Sequence, residues 1–322
     1  MLLMPRECAV AAAPGGLDAL RTSVILAGVR HAVTREKTFR DYKAEAEAWI
    51  TLATGEYYPD ILPDACRLYE PVLVEFGRLL KASHSSVFLF TTIMEAQHQW
   101  MRTQLCRVFK KYVSPQTPVE MLKRKSHAAK ICADFGESFR NVVEVQQRFE
   151  SRPMPDEALC AVLWEYKDRG KKGYDLTERL FAILRTQLVG CSIIGPERAG
   201  KDVRMSEIFT DYTKPDRPVD FVITEGEKVL AIGLARYDSD RGGAQEDDRT
   251  GQYREVAQEL FGYADSHGMP YIKVVYVNDG PGLLLGSMWD DYAYIEDQWP
   301  GRVKVVTLRM APDRITAEWL RS

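Results

Sequence analysis

No Cys-x-x-Cys pair occurs in this sequence: its six cysteines, Cys8, Cys66, Cys106, Cys132, Cys160 and Cys191, stand far apart. That spacing speaks against a disulfide framework and against a zinc site, and it suits a reducing, cytoplasmic setting. Histidine is scarce too, with five residues and none at metal-ligand spacing, so zinc chemistry is not expected. No apolar run approaches the roughly 20 residues that a membrane-spanning helix needs. The opening residues are small and apolar but include Arg6 and Glu7 and reach Gly15-Gly16 without an uninterrupted hydrophobic stretch. They are not expected to act as a secretory signal, and residues 1–30 read as a disordered leader.

What is present is ordinary in bulk: 322 residues, 45% hydrophobic and 28% charged, enough for two domains. The net charge of -3 conceals an asymmetry. Residues 1–172 carry 25 Lys and Arg against 21 Asp and Glu, a net +4; residues 173–322 carry 18 against 25, a net -7. A mildly basic front half and an acidic back half suit a protein that grips a polyanion and holds a metal ion.

The front half, residues 31–170, reads as helical. Residues 36–50, 66–82 and 87–112 space apolar side chains by three and four. Ser114-Pro115-Gln116-Thr117-Pro118 then breaks the pattern. Thr117, Pro118 and Glu120 form a capping-box signature, which predicts a helix carrying Lys123, Arg124, Lys125 and Lys130. Two basic helices around a short turn are compatible with a helix-turn-helix on DNA. A further helix is expected over 156–167 with Asp156 as its cap. It runs into Lys167-Asp168-Arg169-Gly170-Lys171-Lys172-Gly173, a basic glycine-containing boundary suited to phosphate contacts.

The back half changes rhythm. A helix is predicted over 175–189, then a short apolar strand at 191–194. Val219–Ile223 and Lys228–Tyr237 flank Glu225-Gly226 as a hairpin. A helix over 252–266, a buried-type strand at 271–277, a helix near 284–297 and a strand at 302–309 complete the pattern.

The order helix, strand, hairpin, helix, strand, with Asp220 on the first hairpin strand and prolines just before it, resembles the PD-(D/E)XK nucleases, which include many type II restriction endonucleases. The resemblance covers about residues 174–280. It implies an α/β domain over 171–322, a PD-(D/E)XK-like mixed sheet flanked by helices and preceded by the mostly α-helical domain. It further implies that Asp220 helps hold Mg²⁺ and that a second carboxylate and a lysine follow on the next strand. In the family alignment those two positions hold Gly233 and Ala235, so the groups are expected to have moved.

The segment Arg236 to Arg249, with five acids, three arginines and a Gly-Gly, is where they are sought. Asp238, Asp240 or Glu246 would supply the second carboxylate, and Arg236 the fixed cation. Glu178 is a further catalytic candidate, since many family members take a Glu from the opening helix; Asp175 to Glu178 also matches a capping box. Lys123, Arg124, Lys125, Lys167, Arg169, Lys171, Lys172, Arg241 and Arg249 are the expected DNA contacts. Gly195 to Lys201 matches GxxxxGK of a phosphate loop, but Asp202 stands where a hydroxyl would bind Mg²⁺. Arg198, Lys201 and Arg204 there suit DNA backbone contacts better. Asn278-Asp279-Gly280 reads as turn chemistry.

The resulting expectation is a cytoplasmic, homodimeric, Mg²⁺-dependent type II restriction-like endonuclease acting on double-stranded DNA. The alternatives are a catalytically inactive DNA-binding relative and, further off, a nucleotide hydrolase built on 195–202.

Overall fold

Two β-rich runs around Glu225-Gly226 form the hairpin that organises the back half. The computed structural model describes residues 36–167, 171–197, 200–239 and 244–322, with the backbone alone at 171, 172, 174 and 244–249. Gly226 turns the hairpin at φ +59°, a left-handed conformation that glycine adopts without steric penalty.

The strands are β1 (Ser192–Ile194), β2 (Val203–Arg204), β3 (Pro218–Val219), β4 (Phe221–Glu225), β5 (Lys228–Tyr237), β6 (Lys273–Asp279) and β7 (Val303–Val306). Five of them form one sheet in the order β1-β4-β5-β6-β7, and β2 pairs with β3 in a separate ribbon. β1, β4 and β5 are antiparallel neighbours, whereas β5, β6 and β7 run parallel. Parallel neighbours need a crossover. Helix Ala244–Ser266 makes the first and helix Met288–Gln298 the second. The domain is therefore mixed α/β, with the element order expected from the sequence.

Successive strand residues face opposite sides of a sheet, and ring contacts identify what covers each side. Phe221 pairs with Gly233 and meets Phe181 of helix Lys171–Gln187 edge-on, ring centroids 5.8 Å apart. Leu234 pairs with Tyr276, whose ring stacks at 4.4 Å on Tyr253 of helix Ala244–Ser266. The two helices thus lie on opposite faces.

A second hydrophobic cluster, including Tyr69, Phe76, Phe90, Phe109 and Leu163, holds the helices between Leu62 and Trp164 together. Residues 39–49 are a 3-10 run followed by one α-turn, and they pack elsewhere. Phe39, Tyr42 and Ile50 sit in the core of the sheet half, Phe39 stacking on Trp289 at 4.3 Å. The apolar stripe that reads as part of the helical half is buried against helix Met288–Gln298.

Two helical expectations are corrected. Residues 87–112 form two helices, Ser86–Glu95 and Gln99–Tyr112, because Ala96 takes an extended backbone (ψ 125°). The chain then folds back and brings Phe90 within 5.2 Å of Phe109. The helix after Pro118 ends at Leu122, since Arg124 is extended, and the Thr117 hydroxyl pairs with that of Ser114 (2.7 Å) instead of capping. Lys123 and Arg124 lie in the resulting turn, Lys125 opens a 3-10 turn, and helix Ala128–Phe135 follows. A pair of full-length helices across a turn is not formed.

At the C-terminal end of β6, Asp279 is wholly buried. Its Oδ1 accepts from the amides of Thr51 (2.6 Å) and Gly280 (2.7 Å); its Oδ2 accepts from the Thr51 hydroxyl (2.8 Å) and the Leu308 amide (3.0 Å). What reads as turn chemistry in the sequence is a buried node. Replacing it by alanine leaves four donors without their acceptor. Asp279→Ala is expected to lower the unfolding free energy by about 3 kcal/mol or more, read from the shift in urea midpoint.

Candidate functional site

β5 is longer than its antiparallel partner. The ladder with β4 starts at Phe221 opposite Gly233, while β5 runs on to Tyr237 beside β6 alone. Ala235 therefore presents an amide to the β4 side with no strand carbonyl to receive it, and a buried amide must be paired. Asp220 supplies the acceptor. Its amide donates to the Gly233 carbonyl (3.0 Å), and its Oδ2 accepts from the Ala235 amide (2.7 Å).

The carboxylate thus lies along the end of the ladder, in the place of a backbone carbonyl. Burial pushes its pKa up to about 6; the negative charge of Asp202 adds to the rise, and the Ala235 amide and Arg236 oppose it. Asp202 comes from the ribbon. Val203 pairs with Val219 in antiparallel register, so the next position outward on each strand sets Asp202 opposite Asp220. The phosphate-loop reading of this stretch made Asp202 a misfit, and no sequence signal announces the two-residue strands that align it.

The register also sets which residues of β5 share a face. Gly233 faces Phe221, so the side chains sharing a face beyond it are Leu234 and Arg236. Gly233 and Ala235, the positions expected from the resemblance, lie on the opposite face from Leu234 and Arg236. Position 233 has no room for any side chain, because a Cβ there would fall within the Phe221 ring.

Arg236 is 37% exposed, and its Nε donates to Oδ1 of Asp238 (2.9 Å). Asp238 is buried, its amide donating to the Asp279 carbonyl (2.8 Å) and its carbonyl accepting from the Gly282 amide (2.8 Å). Asp220, Asp202, Arg236 and Asp238 therefore gather around one end of β5. Asn278, beside Arg236 in the parallel register, is buried as well and accepts from the Tyr253 hydroxyl (3.3 Å).

Glu178 stands on the other face. Helix Lys171–Gln187 begins before Asp175, so Asp175 and Glu178 are inside it and no capping box forms. Glu178 lines a cavity of about 250 Å³ with Asp175, Arg179, Tyr237 and the segment Thr51 to Thr54. The Tyr237 hydroxyl fixes that segment by accepting from the Ala53 amide (2.6 Å) and donating to the Thr51 carbonyl (3.1 Å).

The expected DNA contacts are dispersed. Lys123 pairs with Glu120 (2.5 Å), Arg124 and Lys125 are exposed, and Lys167 lies 3.6 Å over the Trp164 ring. Asp240, Arg169 and Arg241 lie outside the described residues, as do the side chains of Lys171, Lys172, Glu246 and Arg249. After the GxxxxGK stretch comes a single helical turn, Met205–Ile208, and Lys201 pairs with Glu207 at 3.7 Å. A phosphate loop needs a longer helix at that point.

Among the described residues, no group of three or more His, Cys, Asp or Glu side chains converges on one point. Mg²⁺ asks for less, since one or two carboxylates with water and substrate oxygens complete its shell. Asp220 and Asp202, set across from each other by the ribbon register, are two carboxylates of the kind such a shell uses. No family model matches the chain, and neither the curated proteins nor the solved structures contain a match to it.

Two outcomes follow. Below pH about 4, folded and unfolded chains both hold the Asp220 proton; between about 4 and 6 only the folded chain keeps it. Stability contributed by this group therefore falls as pH rises through that window, by up to about 3 kcal/mol. Asp220→Asn, which keeps an oxygen for the Ala235 amide, should flatten that decline in denaturant titrations run at several pH values. Separately, Gly233→Ala should destabilise the fold by about 1–3 kcal/mol through overpacking against Phe221, seen as a lower thermal midpoint.

Proposed function

We propose that the chain is a Mg²⁺-dependent endonuclease of PD-(D/E)XK type, cutting double-stranded DNA at specific sites. The observation that supports this reading is the half-buried Asp220 carboxylate at the end of a hairpin ladder, its pKa pushed up to about 6 by burial, with Asp202 across from it. Asp220 and Asp202 would hold the ion, which when bound supplies charge neutralisation at a phosphodiester and lowers the pKa of water. Arg236 is a fixed cation suited to a phosphate oxygen. Its tether to Asp238 orients the guanidinium, so that one edge is committed to the protein. Glu178, across the strand, would act from the Tyr237 face.

A guanidinium does not deprotonate water near neutral pH. That specific feature, together with Gly233 and Ala235 where the resemblance expects an acid and a lysine, favours as a second reading a DNA-binding relative that no longer cuts. A two-fold recognition site would in either case call for a homodimer.

Incubation of the protein with unmethylated phage DNA, with and without Mg²⁺, separates the two. Discrete fragments only with metal are the expected result, with Asp220→Asn and Asp202→Asn each slowing cleavage about 100-fold or more while a gel shift persists. Intact DNA with a retained shift would establish the binding-only reading, and loss of both would remove DNA as the ligand.

A further inference from the structure

The segment between the two ribbon strands, residues 205–217, is fastened to helix Ala244–Ser266 at two places. Next to β3, Lys214 and Arg217 each pair with both Glu255 and Glu259, at 2.7–3.0 Å. Nearer the end of the helix, the Tyr263 ring packs 5.1 Å from that of Phe209 and 5.0 Å from that of Tyr212, and its hydroxyl donates to Oδ1 of Asp211 (2.5 Å). His267, just past the helix, stacks on the Tyr263 ring at 4.1 Å and sets Nε2 3.0 Å from Oδ2 of the same Asp211. The first place is built of groups that stay charged across the neutral range, since its ion pairs raise the Lys214 pKa and lower that of Glu255. The second contains a histidine, which does not.

The surroundings of the imidazole fix its protonation. Nδ1 lies 2.8 Å from the Tyr263 carbonyl oxygen, which only accepts. The Ser266 hydroxyl is 3.0 Å from the same nitrogen, but it donates to that carbonyl too (2.8 Å). Nε2 faces a carboxylate, which when ionised only accepts. Both ring nitrogens therefore donate, and the ring is an imidazolium. The Tyr263 carbonyl and Asp211 hold its pKa above the ordinary value, while the Tyr263 hydroxyl and the imidazolium hold that of Asp211 below. The other titratable groups around the shared cavity of about 520 Å³ are Glu255 and Glu259, both paired as above, and the Tyr263 phenol, pushed up to about 12 chiefly by burial.

We propose that His267 and Asp211 form a pH-sensitive clasp, closed in acid and opened by mild base, that fastens the ribbon segment to the helix. The step is the loss of one proton from the imidazolium to solvent; no bond between heavy atoms is made or broken. The neutral ring keeps a single N–H. With the proton on Nδ1, the Nε2 lone pair faces the Asp211 carboxylate. With it on Nε2, the Nδ1 lone pair faces the Tyr263 carbonyl, and Ser266 relieves that clash only by giving up its own bond to the carbonyl. In both cases Asp211 loses its cationic partner. Because the folded pKa lies above the unfolded one, the clasp is complete below pH about 6.5 and is lost as pH rises through the folded value. The segment it holds leads from β2 to β3, the strands whose register sets Asp202 across from Asp220. Opening the clasp leaves that ribbon on its Lys214 and Arg217 pairs.

The test is an NMR titration of His267 in the full chain, run beside amide hydrogen exchange over residues 203–219 corrected for the intrinsic effect of pH. His267 is expected to titrate above about 6.5, and Asp211→Asn, which keeps an oxygen for the Tyr263 hydroxyl, should bring it down. Protection of the segment should fall about two- to fivefold as the wild type crosses that pKa, the range an exposed ion pair supports. In Asp211→Asn and His267→Gln it should be low on both sides of the transition. Both positions are exposed, so the variants are expected to fold. A His267 that titrates at or below 6.5, or one that Asp211→Asn leaves unmoved, would overturn the proposal. So would protection that stays level across the titration, or that still falls in His267→Gln. All of these readings are taken without DNA or metal, so they do not depend on whether the protein cuts DNA.

Discussion

One buried carboxylate ties the sheet half of this protein together. Asp279 receives donors from Thr51, from its own turn at Gly280, and from Leu308 after β7. A carboxylate without water is tolerable only when its lone pairs are filled, and here the donors come from three separate stretches of chain. None of the three can leave without exposing the others to an uncompensated charge. The arrangement makes closure of the sheet's C-terminal end a collective event, and it determines where the segment 51–54 runs. A related pattern recurs lower in the same half, where buried Glu296 accepts from the amides of Phe39 and Val305 and pairs with Arg314 at 2.5 Å. Both acids bind residues near position 40 or 50 to the end of the chain, so the amino-terminal part of the described structure is held by acids of its carboxyl-terminal part.

Asp220 solves a different problem with the same chemical group. An amide left over by unequal strand lengths needs an acceptor, and a side chain supplies it where the backbone has ended. The solution places a carboxyl group where solvent is poor, and that burial pushes its pKa up to about 6. A carboxyl group whose titration is moved toward neutrality, next to a second carboxyl and an arginine, has the attributes that metal and phosphate chemistry draws on.

Much of the sheet half was legible from residue patterns. The hairpin announced itself through β-branched runs around a glycine, and the final strands through short apolar stretches separated by helical periodicity. What stayed hidden was information that only pairing creates. The alignment of Asp202 with Asp220 rests on strands of two residues, too short to leave a pattern. Which side chains of β5 share a face with Arg236 follows from which residue faces Phe221, and periodicity alone does not specify register. The turn after Pro118 was misjudged because local capping chemistry pointed to a helix and the packing of its neighbours decided otherwise.

The contact between Phe221 and Gly233 bears on how such a site changes over time. A phenyl ring occupies the volume into which any side chain at 233 would have to grow. A carboxylate can appear at that position only after residue 221 has become smaller, and the smaller residue alone leaves a void in the core beside Phe181. Two substitutions are needed, the first is harmful by itself, and the second is blocked without it. Glycine at 233 is thereby locked in by the ring across the hairpin, and the two positions can change only together.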